Sequence, residues 1–444
     1  MYSVKKNIDI IIKNGIVVTV DDKNTIIKNG AVAIKNSKII DVDTNQQVLN
    51  KYFSKKIIDA KGKIVMPGFV NAHTHLAMTI FRGMVDDTVL SDWLYKYIFP
   101  AEQKWINPQT VKTGTELSML EMVHSGTTCF NDMYYYQDVT AEVAKNVGMR
   151  GIINEGLIDF PVANSKNPQQ GLDYSKMLLK KYENDDLISV GLGAHSCFSC
   201  SEDLLKDAHK LAVDNNTIFH IHVAESEWEL KTTIKKIGLT PVQYLNKLGV
   251  LTQNSVFAHG VWLNDIDISL LAEKNVGIVH NPECNMKISS GIAPIPKLLD
   301  KGVKVGLGTD GVASNNNLSM IQELHTMALL HKVNSMNPTV IPAEQAVRIA
   351  TMGSAKVLGK DKEIGSIEIG KNADIIIIDT QNAHTTPIYN VYSIIAYSLY
   401  GNEVTDVIIN GKEIMRDNKI LTIDESKVIN DAKIVSEKIE NDIL

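Results

Sequence analysis

"IVMPGFVNAHTH", residues 64–75, is an apolar run that ends in two histidines two positions apart. A short apolar run bounded by turn residues suits a strand buried on both faces. Seven similar runs follow: "TTCFND" (127–132), "GIINEGL" (151–157), "SVGLGAHS" (189–196), "IFHIHVAE" (218–225), "VFAHGV" (256–261), "VGIVHNPE" (276–283) and "KVGLGTDG" (304–311). The segments between them, such as "PQTVKTGTELSMLEMVHSG" (108–126) and "SEDLLKDAHKLAVDNN" (201–216), repeat apolar residues at helical spacing.

Eight alternating β and α units predict a parallel (β/α)8 TIM-type barrel, with an open doubly wound sheet as the alternative. The placement of the polar residues favours the barrel. In most runs the polar or titratable residue stands at the C-terminal end: His73 and His75, His195, His222 and Glu225, His259, His280, Asp310. A barrel gathers those ends at one mouth, whereas an open sheet spreads them along an edge.

The flanks differ from this middle. "DIIIKNGIVVTV" (9–20), "GAVAIKNSKIIDV" (30–42) and "KIIDAKGKIVMPG" (56–68) read as β-strands broken by turn residues. Residues 365–380 and 406–420 echo them. The expected organisation is therefore a composite β-sandwich domain built from 1–66 and 367–444, around a catalytic barrel at 67–366. Chain ends often lie close together, which permits such a split domain.

Composition excludes several classes. A formal net charge of -6 and a pI near 6.1 leave no basic footprint for nucleic acid. No apolar run is long enough to span a membrane, and Asp9, Lys13 and Asn14 interrupt the first apolar stretch, so neither a membrane segment nor a signal peptide is expected. Four cysteines in 444 residues do not suggest a disulfide framework. The single CxxC, Cys197 and Cys200, lacks the second pair a structural zinc would need and reads as packing. A cytoplasmic enzyme is expected, and the sequence leaves homo-oligomer formation open.

On a strand, residues i and i+2 share a face, so His73 and His75 can converge on one ion. "HIHVAE" holds a second such pair. His220 lies earlier in the apolar strand and reads as a packed, hydrogen-bonded core histidine, which leaves His222 as the ligand. Asp310 alone would read as a helix cap. Beside three histidines at strand ends it becomes the fourth ligand of a divalent cation, Zn²⁺ or Fe²⁺. Glu225, three residues after His222, is placed for general acid/base work. His259 could hold the attacking water.

The whole chain resembles the amidohydrolase superfamily, and within it the 5-methylthioadenosine/S-adenosylhomocysteine deaminases. The resemblance rests on "PGFVNAHTHLAMTIFRG", "SDWLYKYIFPAE", "HSGTTCFNDM", "GAHS", "HIHVAES", "AHGVWLND", "VHNPECNMKISSGIAP" and "GTDGVASNNNLSM", with "GSIEIGKNADIIIID" as the return into the β domain. It implies one divalent metal, most often zinc with iron or manganese as alternatives, on His73, His75, His222 and Asp310. It implies Glu225 as the acid/base toward the purine ring nitrogen, and His259 facing the water. Glu102 matches the carboxylate that binds ribose hydroxyls, and His195 a further substrate contact. The implied reaction removes the 6-amino group of an adenosine-type nucleoside as ammonia.

Trp93 lies in the segment leading to Glu102 and reads either as core or as a lid over the base. Family members that accept S-adenosylhomocysteine commonly carry an arginine just after the third strand. Here Asn154 and Glu155 stand near that place; Glu155 reads either as a neighbour of the tail or as a residue of the barrel wall, and 5-methylthioadenosine and 5'-deoxyadenosine are expected to be better substrates than S-adenosylhomocysteine. Three other readings are weighed: a triazine or guanine hydrolase of the same branch, a catalytically dead barrel used as an interaction protein, and a metal-free sugar or phosphate barrel. Glu102 has no evident task on a bare heterocycle. Dead relatives typically lose ligands, and all are present here. No phosphate-type glycine loop follows the seventh strand.

Overall fold

All eight runs form strands of one parallel sheet: β1 Phe69–Thr74, β2 Thr127–Tyr134, β3 Arg150–Leu157, β4 Ile188–Ser196, β5 Phe219–Val223, β6 Ser255–His259, β7 Gly277–His280 and β8 Lys304–Leu307. This is seen in a computed structural model that describes residues 5–443. Each strand pairs with the next in chain order. A parallel bridge between Thr74 and Asp310 brings the last strand's exit back to β1, and the Asp310 amide donates to the His73 carbonyl at 3.0 Å. The sheet is thus a nearly closed barrel, and the open-sheet alternative falls away. Every residue of β1, β2, β5, β6 and β7 is buried, which is why these strands read as continuous apolar runs.

The first run proves to be two strands. Lys63–Pro67 belongs to a second sheet, and the barrel begins at Phe69. Gly68 makes the crossing. A Cβ there would lie 2.1 Å from Thr128 Cγ2, so no larger residue fits. The second sheet is mixed and nine-stranded. Its strand Lys63–Pro67 pairs antiparallel with Ile375–Asp379, which joins the two ends of the chain in one sheet. Arg150, at the start of β3, ties this sheet to the barrel through a buried pair with Asp374 (Nε–Oδ2 2.7 Å).

The connecting helices start where the sequence supplies caps. Asn107 Oδ1 accepts from the amides of Gln109 and Thr110 at the head of Pro108–His124, and Ser201 caps Glu202–Asp214. Beyond the terminal strands, Glu425–Ile443 forms a helix against Pro108–His124. No described helix is long and apolar enough to cross a membrane.

Candidate active site

His73 lies within β1 and His75 just past it; His222 lies within β5, and Asp310 follows β8. Their ligand atoms all fall within 4.8 Å of one another. Glu225, His259 and Asp310 form a second such group, so Asp310 joins the two. Three of the turns that aim these residues use left-handed backbone: Ala224 (φ 53°), His259 (φ 74°) and Asp310 (φ 61°). That conformation is costly for residues other than glycine, and it clusters here at one mouth of the barrel.

Hydrogen bonds set the histidine tautomers. His75 Nδ1 faces the Met133 carbonyl at 2.5 Å, and His222 Nδ1 faces the His195 carbonyl at 2.6 Å. A carbonyl only accepts, so both Nδ1 atoms carry the proton. His220 Nδ1 likewise faces the Val256 carbonyl at 3.1 Å, which leaves its Nε2 as an acceptor for His73 Nδ1 at 2.8 Å. All three ligand candidates therefore present a bare Nε2. His75 and His222 do so 3.3 Å apart, and His73 Nε2 is buried without a hydrogen-bond partner. Converging lone pairs beside a carboxylate fit a divalent cation.

Asp310 is held on every side. Oδ1 lies 3.3 Å from His73 Nε2 and 3.1 Å from His75 Nε2, and accepts from the Gly311 amide at 2.8 Å. Oδ2 accepts from Cys284 Sγ at 2.8 Å and Ser314 Oγ at 3.3 Å. Burial alone would raise its pKa, but His73, His75 and His259 outweigh burial and hold the carboxyl well below its usual range. Burial pushes Glu225 the other way, well above the carboxylate range, and the Asp310 and Glu229 charges add to it. His259 Nε2 lies 3.9 Å from both Glu225 Oε2 and Asp310 Oδ2, and burial lowers its pKa to about 3.

Two supporting residues were not read from the sequence. Glu229 accepts from the amides of Ala224 (3.1 Å) and Glu225 (2.8 Å), which fixes the turn that carries Glu225. The signal was present: Ser226 caps the next helix with Glu229 three residues on, the capping-box spacing. Cys284, in the short helix Pro282–Lys287 after β7, had no such signal.

One cavity joins these groups to the other expected residues. Glu102, His195, Trp93, Glu225, His259 and Asp310 all line it. Glu102 is buried, which pushes its carboxyl up to about 7 against the opposing pull of Tyr134 and His75. His195 is neutral, lowered to about 3 by burial and by His75, and its Nδ1 lies 2.7 Å from Ser199 Oγ. Trp93 is 7% exposed and packs among Leu90, Leu94 and Ile98, so core and cavity wall are the same place.

Asn154 and Glu155 are not in that wall. Asn154 donates to Asn131 Oδ1 at 2.8 Å, and Glu155 accepts from the Gln137 amide at 3.2 Å and Asn164 Nδ2 at 2.6 Å. Both are buried inside the barrel structure, so Glu155 is removed as a determinant of the substrate's tail. Cys197 and Cys200 are buried free thiols; Cys200 Sγ donates to the Leu157 carbonyl at 3.3 Å, in line with packing.

Residues 64–414 match the amidohydrolase family. The chain belongs to that family. Among its relatives is 5-methylthioadenosine/S-adenosylhomocysteine deaminase 1 of Syntrophus aciditrophicus, 41% identical over 99% of each chain. The 5'-deoxyadenosine deaminase of Methanosarcina acetivorans is 42% identical over 97% of this chain and 98% of its own. A crystal structure of an adenosine deaminase from Xanthomonas campestris, with bound zinc, superposes with a TM-score of 0.97 at 32% identity, covering 99% of this chain and all of that one. This amidohydrolase thus shares its full length, not only its barrel, with those proteins.

Proposed function

We propose that this amidohydrolase is a metal-dependent deaminase of adenosine-type nucleosides. It would convert 5-methylthioadenosine, 5'-deoxyadenosine, adenosine or S-adenosylhomocysteine, with water, to the inosine-type nucleoside and ammonia. The observation that carries the reading is the convergence of three bare imidazole Nε2 atoms and Asp310 beside a buried Glu225, whose carboxyl is held by burial above the usual carboxylate range. Full-length relatives named as deaminases of these nucleosides supply the substrate class.

His73, His75, His222 and Asp310 would hold one divalent cation, zinc first, with iron or manganese as alternatives. Such a cation supplies Lewis-acid activation of water at neutral pH. The other steps belong to the chain itself. Glu225, kept protonated by burial, donates its proton to the purine ring nitrogen as the C6 carbon is attacked, so that negative charge does not build on the ring. His259 and Asp310 Oδ2 orient the attacking water between them. Glu102 accepts hydrogen bonds from the ribose hydroxyls, while His195 and Trp93 complete the wall. Catalysis is assigned to residues 67–366, with the described residues of 1–66 and 367–444 as the supporting β domain; residues 1–4 and 444 lie outside the described residues.

The triazine and guanine reading loses its place because a buried carboxylate in the wall would face a bare heterocycle unpaired. Ammonia release, measured across adenosine, 5'-deoxyadenosine, 5-methylthioadenosine, S-adenosylhomocysteine, guanine and a triazine, tests the choice. Turnover confined to the last two would overturn it.

A further inference from the structure

Tyr134 ends β2 at the mouth of the barrel. It is 5% exposed, its ring centroid lies 5.0 Å from that of Tyr135 and 6.3 Å from that of His75, and it lines the cavity beside Glu102. Its hydroxyl is buried and stands beside the Glu102 carboxyl, yet closes no hydrogen bond of good geometry with it or any other group. Buried phenols ordinarily have a partner. Other described residues also carry unpaired buried side-chain atoms, but Tyr134 is the only one of them in this cavity wall.

Glu102, when ionised, can only accept hydrogen bonds. A ribose hydroxyl both donates and accepts. With its proton directed to Glu102, its oxygen still needs a donor. Ser314, which also lines the cavity, directs its hydroxyl to Asp310 and Gly311. Ser196 is engaged with Ser199.

We propose that Tyr134 is a substrate-binding residue whose hydroxyl donates to a ribose hydroxyl oxygen while Glu102 accepts that hydroxyl's proton. The pair forms a two-sided site for a vicinal diol. The inference rests on the nucleoside reading above.

Tyr134→Phe removes only the oxygen. With the metal-loaded protein, KM for adenosine should rise about tenfold, the scale of one lost hydrogen bond, with kcat changed less than about twofold. Kinetic constants for 2',3'-dideoxyadenosine should not move. The ligand-free variant should melt near the wild-type temperature, because only a poorly aligned contact with Glu102 is lost. A structural hydroxyl would instead lower the melting temperature and weaken both nucleosides equally. That result, or an unchanged KM for adenosine, overturns the assignment while leaving the deaminase reading intact. A wild type that deaminates no adenosine-type nucleoside overturns the deaminase reading and this inference with it.

Discussion

His220 Nε2 lies 2.8 Å from His73 Nδ1, and this contact separates two histidine pairs that look alike in sequence. In the HxH of "NAHTH", both rings reach the cation site. In "HIH", His222 reaches it, and His220 lies two residues deeper and holds His73 in the tautomer that frees its Nε2.

His220→Ala should therefore lower divalent-metal affinity about 10- to 100-fold without abolishing it, the usual effect of removing a residue that orients a ligand. His222→Ala should lose the metal. Metal content after dialysis against graded chelator measures both; equal loss in the two variants would mean that His220 is itself a ligand.

Glu225→Gln should keep metal and nucleoside binding and lose kcat by at least about 100-fold, the scale for a positioned proton donor. Near-normal turnover would remove Glu225 from proton transfer. Glu229→Gln should act in the same direction but more weakly, since Glu229 hydrogen-bonds only the backbone of the turn and reaches the Glu225 carboxyl through its charge.

Burial raises Glu102 to about 7, so its carboxyl is neutral below that pH and charged above it. The charged form is the stronger acceptor. KM for adenosine should therefore fall as pH rises through about 7, and Glu102→Gln should flatten that dependence. A wild-type KM that is constant across this range, with kcat followed separately, would place Glu102 outside ribose binding.

Neither the catalytic cavity nor the adjoining pocket behind Glu102, walled by Phe99, Tyr135, Phe160 and Pro161, contains a lysine or arginine. An amino-acid tail would lay its carboxylate near Glu102 with no cation to pair it. 5-Methylthioadenosine and 5'-deoxyadenosine should exceed S-adenosylhomocysteine in kcat/KM by about tenfold or more, the cost of one unpaired charged hydrogen bond. Equal or reversed preference would show that the tail lies elsewhere.

The barrel was legible because most of its strands are buried on both faces and so read as largely apolar runs. The metal-site candidates were legible because each ends such a run. Gly68 was not: the change of sheet occurs inside one apolar stretch, and only the approach of Thr128 marks it. Cys284, on the helix after β7, and Asp310, past β8, come from different units of the barrel, so their 2.8 Å contact depends on folding and leaves no local pattern. Glu155 shows the converse. Its strand was read, but one residue of rotation along a strand decides whether a side chain faces the cavity or the wall. Gly156, the next residue, lines the cavity, and Glu155 does not.

The most direct test is ammonia release from 5-methylthioadenosine by the purified protein, measured as isolated, after complete chelation, and after Zn²⁺ is returned. The account predicts one ammonia per nucleoside consumed, loss of turnover on chelation and recovery with the metal. Turnover that survives full metal removal, or a metal-loaded protein that releases no ammonia from any adenosine-type nucleoside, would contradict it.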